Sequence, residues 1–158
     1  MTYLSESEIK KLIGYKFPGG TYTIAHWENY LLTDCTGSKP LPNNLAHPVA
    51  LFHATIMGAD TSIDQMFELG QAESPFSISI ESYDWELFAP LFEEMEYTVD
   101  GVITDVSRIT DKEKVEKKQF HGECYDRIQF QFTLTDPQQL LVARVTVTWH
   151  YNRGVDAS

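Results

Sequence analysis

Two neighbouring stretches in the last third of the chain decide the fold. Residues 128–134 are Ile-Gln-Phe-Gln-Phe-Thr-Leu, and residues 142–151 are Val-Ala-Arg-Val-Thr-Val-Thr-Trp-His-Tyr. Apolar and polar residues alternate in the first stretch, and the second is rich in β-branched and aromatic residues. Both features predict β-strands with one buried face. Asp136-Pro137 lies between the two stretches and predicts the turn that joins them as antiparallel neighbours.

The same period of two occurs further upstream. Residues 76–82 are Phe-Ser-Ile-Ser-Ile-Glu-Ser, which predicts a third strand. The stretch from Tyr97 to Val106 alternates again, with a turn candidate at Asp100-Gly101. An earlier strand is predicted at Thr21 to Ile24, because Thr-Tyr-Thr-Ile is β-branched and aromatic. One early strand is thus followed by four or more antiparallel ones.

A helical region separates the early strand from the others. Its most apolar part is Pro48 to Met57, where Pro48 suits the first helical turn. Four residues in this run recur at the spacing of a buried helical face: Val49, Phe52, His53 and Ile56. Shorter helices are predicted at Ser5 to Leu12, at His26 to Thr33 and in a piece ending at Leu69-Gly70. The chain is therefore predicted to be one α+β domain over residues 1–158, with an antiparallel sheet wrapped around a central helix.

The charge of the chain excludes several classes of partner. Of its 158 residues, 23 are Asp or Glu and 12 are Lys or Arg, giving a net charge of −11. Nucleic acid and anionic membrane surfaces are disfavoured, because both present negative phosphates. Residues 1–11 hold no apolar signal segment, and no stretch approaches the roughly 18 apolar residues that span a bilayer. With two cysteines outside any paired motif, a cytoplasmic protein is expected.

Four phrases occur in a characteristic order along the chain. They are Ile13-Gly14-Tyr15 with Thr21 to Ile24, Asn29-Tyr30 through Asp34, Ala46-His47-Pro48, and Ala89-Pro90-Leu91 through Tyr97-Thr98-Val99. In this order they resemble the hot-dog fold superfamily, and within it the MaoC-like dehydratase N-terminal group. The resemblance runs from Ile13 to the final strand, which is nearly the whole chain.

The resemblance implies a protein that acts on acyl thioesters, commonly by hydrating or dehydrating the α,β position of an acyl-CoA. It also implies a homodimer, or a heteromer with another hot-dog subunit, joined edge to edge with the site at the interface. That arrangement agrees with the general need of a curled sheet to cover its free edges.

The chain departs from the catalytic motif of that group. Active hydratases of the superfamily carry an aspartate and a histidine in a Gly-Asp-x-Asn-Pro-x-His type segment, where one group activates water and the other exchanges a proton with the α carbon. Here Asp34 stands at the aspartate position, and no histidine follows until His47. Pro48 replaces a glycine whose N–H could polarise the thioester carbonyl. Asp34 and His47 are therefore the predicted catalytic pair of a hydratase or dehydratase with a degenerate motif.

Two alternatives remain open. The chain could be a non-catalytic subunit that shapes the acyl pocket for a catalytic partner. It could also be a thioesterase, in which the carboxylates of Asp60, Asp64 and Glu68, spaced four residues apart, activate water. Each candidate also has a purely structural explanation: Asp34 as a helix-end residue, His47 as a loop histidine bonded to backbone, and the three carboxylates as a solvated helix face.

Substrate contacts are predicted at three further places. His53 is predicted on the apolar helical face, where it is either a substrate contact or a buried core histidine. Tyr83-Asp84-Trp85 follows a predicted strand. It is expected either to line an acyl pocket or to pack at an interface. Lys117 and Lys118 belong to a cluster of basic residues that either screens the phosphates of coenzyme A or forms a solvated loop. The five histidines show no metal-ligand spacing, and neither a metal nor a cofactor is expected.

Overall fold

The computed structural model of the protein describes residues 4–110 and 124–154. Four helices occur in these ranges: α1 (Glu6–Ile9), α2 (His26–Cys35), α3 (Leu51–Gly58) and α4 (Ile63–Leu69). Short 3-10 turns occupy Lys10–Leu12, Pro48–Ala50 and Pro75–Ser77. The strands are β1 (Gly20–Thr23), β2 (Ile78–Leu87), β3 (Glu96–Thr110), β4 (Cys124–Thr135) and β5 (Leu141–Asn152). The predicted α+β class is confirmed.

The five strands form one antiparallel sheet in the order β1-β3-β4-β5-β2. Along β4, buried and half-buried residues alternate over the whole strand, because one face of the sheet covers the core. The turn predicted at Asp136-Pro137 is present. The Asp136 side-chain oxygen Oδ1 accepts the N–H groups of Gln138 and Leu140, both at 2.9 Å, which holds the β4–β5 connection closed.

Helix α3 is the central helix, and it lies on the inner face of the sheet against β1, β3 and β4. Leu51 and Ala54 are fully buried, although the apolar spacing predicts a different face. Of the four residues predicted to be buried, only Ile56 is; Val49 and Phe52 are half-buried, and His53 is exposed. Gly58 lets the end of the helix approach β3, since a Cβ at this position would lie only 2.9 Å from the Cβ of Val99. The small residues of α3 thus allow the sheet to curl closely around the helix.

A buried ion cluster lies under the start of β4. Asp126 is fully buried and accepts hydrogen bonds from two arginines, Arg108 and Arg153, at 2.8–3.0 Å. Arg153 also donates to the carbonyl oxygen of Gly70 at 2.6 Å. The cluster therefore ties β3, β4 and the segment after β5 to the end of α4.

The turn predicted at Asp100-Gly101 is wrong, because both residues lie inside the continuous strand β3. Gly101 has a packing role there: a Cβ would lie 2.7 Å from the ring of Phe132 and 2.9 Å from that of Phe17. A glycine that lets rings cover the backbone has the same sequence signature as a turn glycine.

Strand β2 does not end at Ser82, as the alternation predicts, but continues to Leu87. The pairing register with β5 shifts between Ile80 and Ser82, which marks a bulge. The extra residue interrupts the alternation of apolar and polar residues. The second half of the strand therefore does not continue the pattern that predicted the first half. Tyr83-Asp84-Trp85 consequently lies within the strand rather than after it.

The predicted row of carboxylates on one helix is also wrong. Helix α4 begins at Ile63, after the cap Ser62, whose side chain accepts the N–H of Gln65 at 3.1 Å. Asp60 precedes the helix and has a φ of 57°, so it does not share a helical face with Asp64 and Glu68.

Candidate functional site

His47 lies immediately before the central helix and caps its 3-10 start. Its ring nitrogen Nδ1 accepts the N–H of Val49 at 3.1 Å. When the ring is neutral, this bond leaves the proton on Nε2, which can then donate to a carbonyl oxygen. The histidine is half-buried.

Asn29 of α2 fixes the segment that carries His47. Its side-chain oxygen accepts the His47 N–H at 2.9 Å, and its Nδ2 donates to the carbonyl oxygen of Leu45 at 3.1 Å and to Glu93 at 2.7 Å. The Asn29 amide, followed by His26, holds the pKa of the Glu93 carboxyl below its usual range. Sequence reasoning missed this network because its partners are up to 67 positions apart.

Asp34, the other half of the predicted pair, is exposed near the end of α2. Its carbonyl oxygen accepts the N–H of Gly37 at 2.9 Å, as a helix-end residue does. Within residues 4–110 and 124–154, no hydrogen bond or ion pair joins its side chain to His47. The structure thus holds His47 firmly and leaves Asp34 unattached to it.

An apolar groove of about 420 Å³ opens between β1, α2 and α3. We call it the α2–α3 groove, and its lining residues are Tyr22, Trp27, Glu28, Leu31, Leu32, His53 and Met57. Three of these apolar side chains are largely solvent-exposed: Trp27 by 67%, Leu31 by 52% and Met57 by 59%. The volume falls within the range of small-molecule sites.

His53 is exposed on this groove, so its interpretation as a buried core histidine is wrong. Its ring packs edge-on against Phe52, with centroids 5.3 Å apart. It also borders a second, smaller groove of about 260 Å³ that includes Asp64. Beside His53, Met57 is exposed on a surface depression whereas Ile56 is buried in the core, and hydrophobic spacing alone does not distinguish the two.

Glu28 is a polar lining residue of the groove that no motif in the sequence singles out. Its Oε1 accepts the hydroxyl of Tyr22 at 2.6 Å. Burial of the phenol, together with this bond, raises the pKa of Tyr22 far above its usual value, so the hydroxyl stays a donor.

Tyr83, Asp84 and Trp85 border a shallow cavity of about 570 Å³ at the β2 edge of the sheet. Successive side chains of a strand point to opposite faces, which separates Asp84 from the two aromatic residues. Tyr83 packs against Phe52 of α3 with ring centroids 5.8 Å apart, and burial raises the pKa of its hydroxyl. Only the aromatic pair therefore faces the side of the sheet that holds the central helix.

Lys117 and Lys118 lie outside the described residues, and their role stays a prediction. In the described ranges, no group of three or more His, Cys, Asp and Glu side chains is placed to hold a metal ion. None of the helices described is both long and apolar enough to cross a bilayer.

No protein-family model matches the sequence, and no curated protein matches it either. Solved structures do match. The ChsH1-ChsH2 complex from Mycobacterium tuberculosis has a TM-score of 0.63 at 12% identity, covering 96% of this chain and 95% of that chain. The C-terminally truncated HadBC complex (3R-hydroxyacyl-ACP dehydratase) from the same organism has a TM-score of 0.61 at 10% identity, covering 88% and 96%.

A MaoC-like dehydratase has a TM-score of 0.58 at 14% identity, and the match covers 94% of this chain but 44% of that one. At such identities the likeness establishes the fold alone. The antiparallel order of the five strands, the central helix α3 and these matches agree with one another: the chain has the hot-dog fold, as found in MaoC-like dehydratases.

Proposed function

We propose that the protein binds acyl thioesters and hydrates or dehydrates them at the α,β position. The observation that carries this proposal is the α2–α3 groove, an apolar depression of small-molecule size lined by residues of the central helix. An acyl chain would lie in the groove against Trp27, Leu31 and Met57. Burial of the acyl chain would contribute a binding free energy of about 25 cal/mol for each Å² of apolar surface removed from water.

In this proposal His47 and Asp34 carry the chemistry. Asp34 would take a proton from water as the water oxygen adds to the β carbon, while the Nε2–H of His47 donates a hydrogen bond to the thioester oxygen. The same proton would then pass from Asp34 to the α carbon, and dehydration would follow these steps in reverse. Because Asp34 is not held against His47, its approach would depend on the substrate or on a second subunit. Coenzyme A is the expected carrier, with Lys117 and Lys118 screening its phosphates.

The test is turnover of crotonyl-CoA and of a longer enoyl-CoA by the purified protein, followed as loss of enoyl absorbance. Asp34→Asn and His47→Ala should each lower kcat by about 10²- to 10⁴-fold, the usual contribution of a general acid or base. Asp60→Asn is the matched control, because Asp60 is exposed and asparagine tolerates its positive φ. Full activity in both variants would show that the site assignment is wrong.

A non-catalytic role in a heteromer is the second candidate. It is supported by the absence of a hydrogen bond or ion pair between the side chains of Asp34 and His47 within residues 4–110 and 124–154, and two of the similar structures are complexes of two differently named proteins. In that case the protein alone would bind acyl-CoA without turnover. Release of free thiol, measured in the same reactions, would instead indicate a thioesterase, for which Asp64, which lines the smaller groove together with His53, would be a candidate carboxylate.

We further propose that β2 joins a second hot-dog subunit. This ten-residue strand ends the sheet, and three of its apolar side chains are exposed: Ile80 by 63%, Trp85 by 38% and Leu87 by 44%. An edge of this length and character is a template for pairing with another strand.

A further inference from the structure

Glu93 is a buried carboxylate that the proposed chemistry does not use. It lies between β2 and β3, and its side chain is only 8% exposed. Taking a charged group out of water costs free energy unless hydrogen bonds compensate it. Both oxygens of Glu93 are compensated: Oε2 accepts an N–H of Asn29 Nδ2 at 2.7 Å, and Oε1 lies 2.8 Å from the ring nitrogen Nδ1 of His26. The interior partner of this charge is therefore Asn29, which is itself buried.

The main chain places Glu93 beside the segment that carries His47. Residues 44–46 and 91–93 run antiparallel and are joined by main-chain hydrogen bonds of 2.7 and 2.9 Å. The N–H of His47, the next residue along the chain, donates instead to the side-chain oxygen of Asn29 at 2.9 Å. Asn29 thus takes over from the main chain at the point where the paired segment ends.

The carboxylate of Glu93 determines which way round the Asn29 amide lies. An amide group has an acceptor end and a donor end, and rotation of the group exchanges them. A carboxylate only accepts hydrogen bonds, as does the carbonyl oxygen of Leu45, so both require the Nδ2 end. The oxygen end is then left for the N–H of His47. In the reversed orientation, two donors would meet at His47, and the charge of Glu93 would face an oxygen.

The orientation of the His47 ring depends on this anchor. Its Nδ1 accepts the N–H of Val49 at 3.1 Å, a cap bond that requires the extended main chain of His47, with φ −67° and ψ 135°. The bond keeps the proton of a neutral ring on Nε2, the nitrogen that is proposed to face the thioester. Without the oxygen of Asn29, the His47 main chain would rotate more freely, and both tautomers of the ring would be populated.

We propose that Glu93 is a positioning residue for His47. Its charge orients Asn29, Asn29 holds the main chain of His47, and the ring thereby presents Nε2–H in one direction. Glu93 does not touch the substrate in this arrangement, because its side chain is buried and both of its oxygens are bonded. The inference rests on the proposed function and adds the residue that supports its histidine.

The first test observes the His47 ring by NMR and needs no turnover. The nitrogen shifts of isotope-labelled histidine report the tautomer at about pH 8.5, where the rings are neutral, and His47→Ala assigns the signal. Wild-type His47 should be a single Nε2–H tautomer. In Glu93→Leu, which keeps the bulk of the side chain but removes both acceptors, the two tautomers should mix. Glu93→Gln keeps one oxygen for Asn29, so it should mix them less and also serves if the leucine variant does not fold.

Two variants separate the role of Glu93 from general loosening of the loop. Glu94→Gln removes the neighbouring charge but keeps an acceptor for the main-chain N–H of His26, which bonds to Glu94 Oε1 at 2.6 Å. His26→Ala removes the other partner of Glu93, a ring that is 75% exposed, and leaves the bond to Asn29 in place. Both variants should retain the single tautomer of His47. His150, which bonds to Glu81, should give unchanged signals throughout.

The second test is turnover of crotonyl-CoA. Glu93→Leu should lower kcat by up to about 10²-fold with little change in KM, because a catalytic group misplaced by about 1 Å loses that much. Glu94→Gln should keep the wild-type kcat.

A single tautomer of His47 in both Glu93 variants, or equal mixing in Glu94→Gln, would overturn the inference. If the tautomers mix as expected but the wild-type protein turns over no enoyl-CoA, the proposed function fails while the positioning of His47 by Glu93 stands. If turnover is present and Glu93→Leu leaves both kcat and the tautomer unchanged, the proposed function stands and only the role of Glu93 is wrong.

Discussion

At the scale of single residues, the polar groups divide into those that hold the fold and those that face the groove. Asp126, fully buried between two arginines, belongs to the first class, and Glu28, which lines the α2–α3 groove, belongs to the second. Asn29 lies between the classes, since it holds the chain around His47 but is not among the residues that line the α2–α3 groove. A residue's type does not distinguish these roles, and only its partners do.

We expect Asp126→Asn to be strongly destabilising. Breaking a buried pair by removing one partner costs about 3–5 kcal/mol, because the opposite charge is left buried and uncompensated. The free energy of unfolding from urea titration measures this loss. Asp105→Asn is the control, since its carboxylate is 51% exposed and 3.6 Å from Arg127, and should cost no more than about 1 kcal/mol. Similar losses in the two variants would contradict the stabilising role of the buried cluster.

At the scale of elements, the bulge in β2 redirects one side chain across the sheet. Glu81 reaches Arg127 of β4 through two hydrogen bonds of 2.7 and 2.9 Å and His150 of β5 through one of 2.7 Å. The guanidinium of Arg127, followed by His150, lowers the pKa of Glu81 to about 2. The edge strand is thereby tied to β4, which it does not adjoin, as well as to its neighbour β5.

The lowered pKa of Glu81 predicts that the stability of the fold depends on pH. The ordinary pKa of glutamate lies above the folded value, so between about pH 5 and pH 2 the unfolded chain binds a proton that the folded chain does not. The contribution of Glu81 is therefore present above about pH 5 and is lost as the pH falls toward 2.

Glu81→Gln should flatten this part of the curve when the free energy of unfolding is measured at pH 7, 5 and 3. Glu96→Gln, an exposed substitution at the start of β3, serves as the control. An unchanged slope in Glu81→Gln would show that other carboxyl groups cause the acid sensitivity.

At the scale of the whole molecule, we expect a dimer through β2. Ile80→Asp places a charge on the exposed apolar side of this edge and should shift the protein toward monomers in sedimentation at micromolar concentration. Thr21→Asp, on the other edge strand, should leave the dimer intact. If Thr21→Asp gave monomers and Ile80→Asp did not, the interface would lie at β1. A monomeric wild-type protein would contradict the proposed pairing. Each copy carries a charge of −11, so added salt should favour association.

The sequence by itself determined the α+β class, the central helix, the β4–β5 hairpin and the resemblance to hot-dog proteins. The first three depend on hydrophobic period and turn chemistry, which are local, and the resemblance depends on four short phrases in a characteristic order. The sequence also selected His47, the first histidine after Asp34, which lies just before the central helix. Its errors have local causes too: Gly101 has the signature of a turn while it makes room for Phe132, and the bulge at Glu81 interrupts the period that would have revealed the rest of β2.

Only the tertiary structure decided which side chains meet. Among the described residues it made no hydrogen bond between the side chains of Asp34 and His47, left His53 exposed, and brought Tyr22 and Glu28 together in a groove with residues of α3. Asn29 and Glu93 are 64 positions apart, and Arg153 contacts a carbonyl 83 positions away. The physical reason is that hydrogen bonds and ion pairs act over a few ångströms in space, and distance along the chain carries almost no information about them until the sheet has closed around its helix.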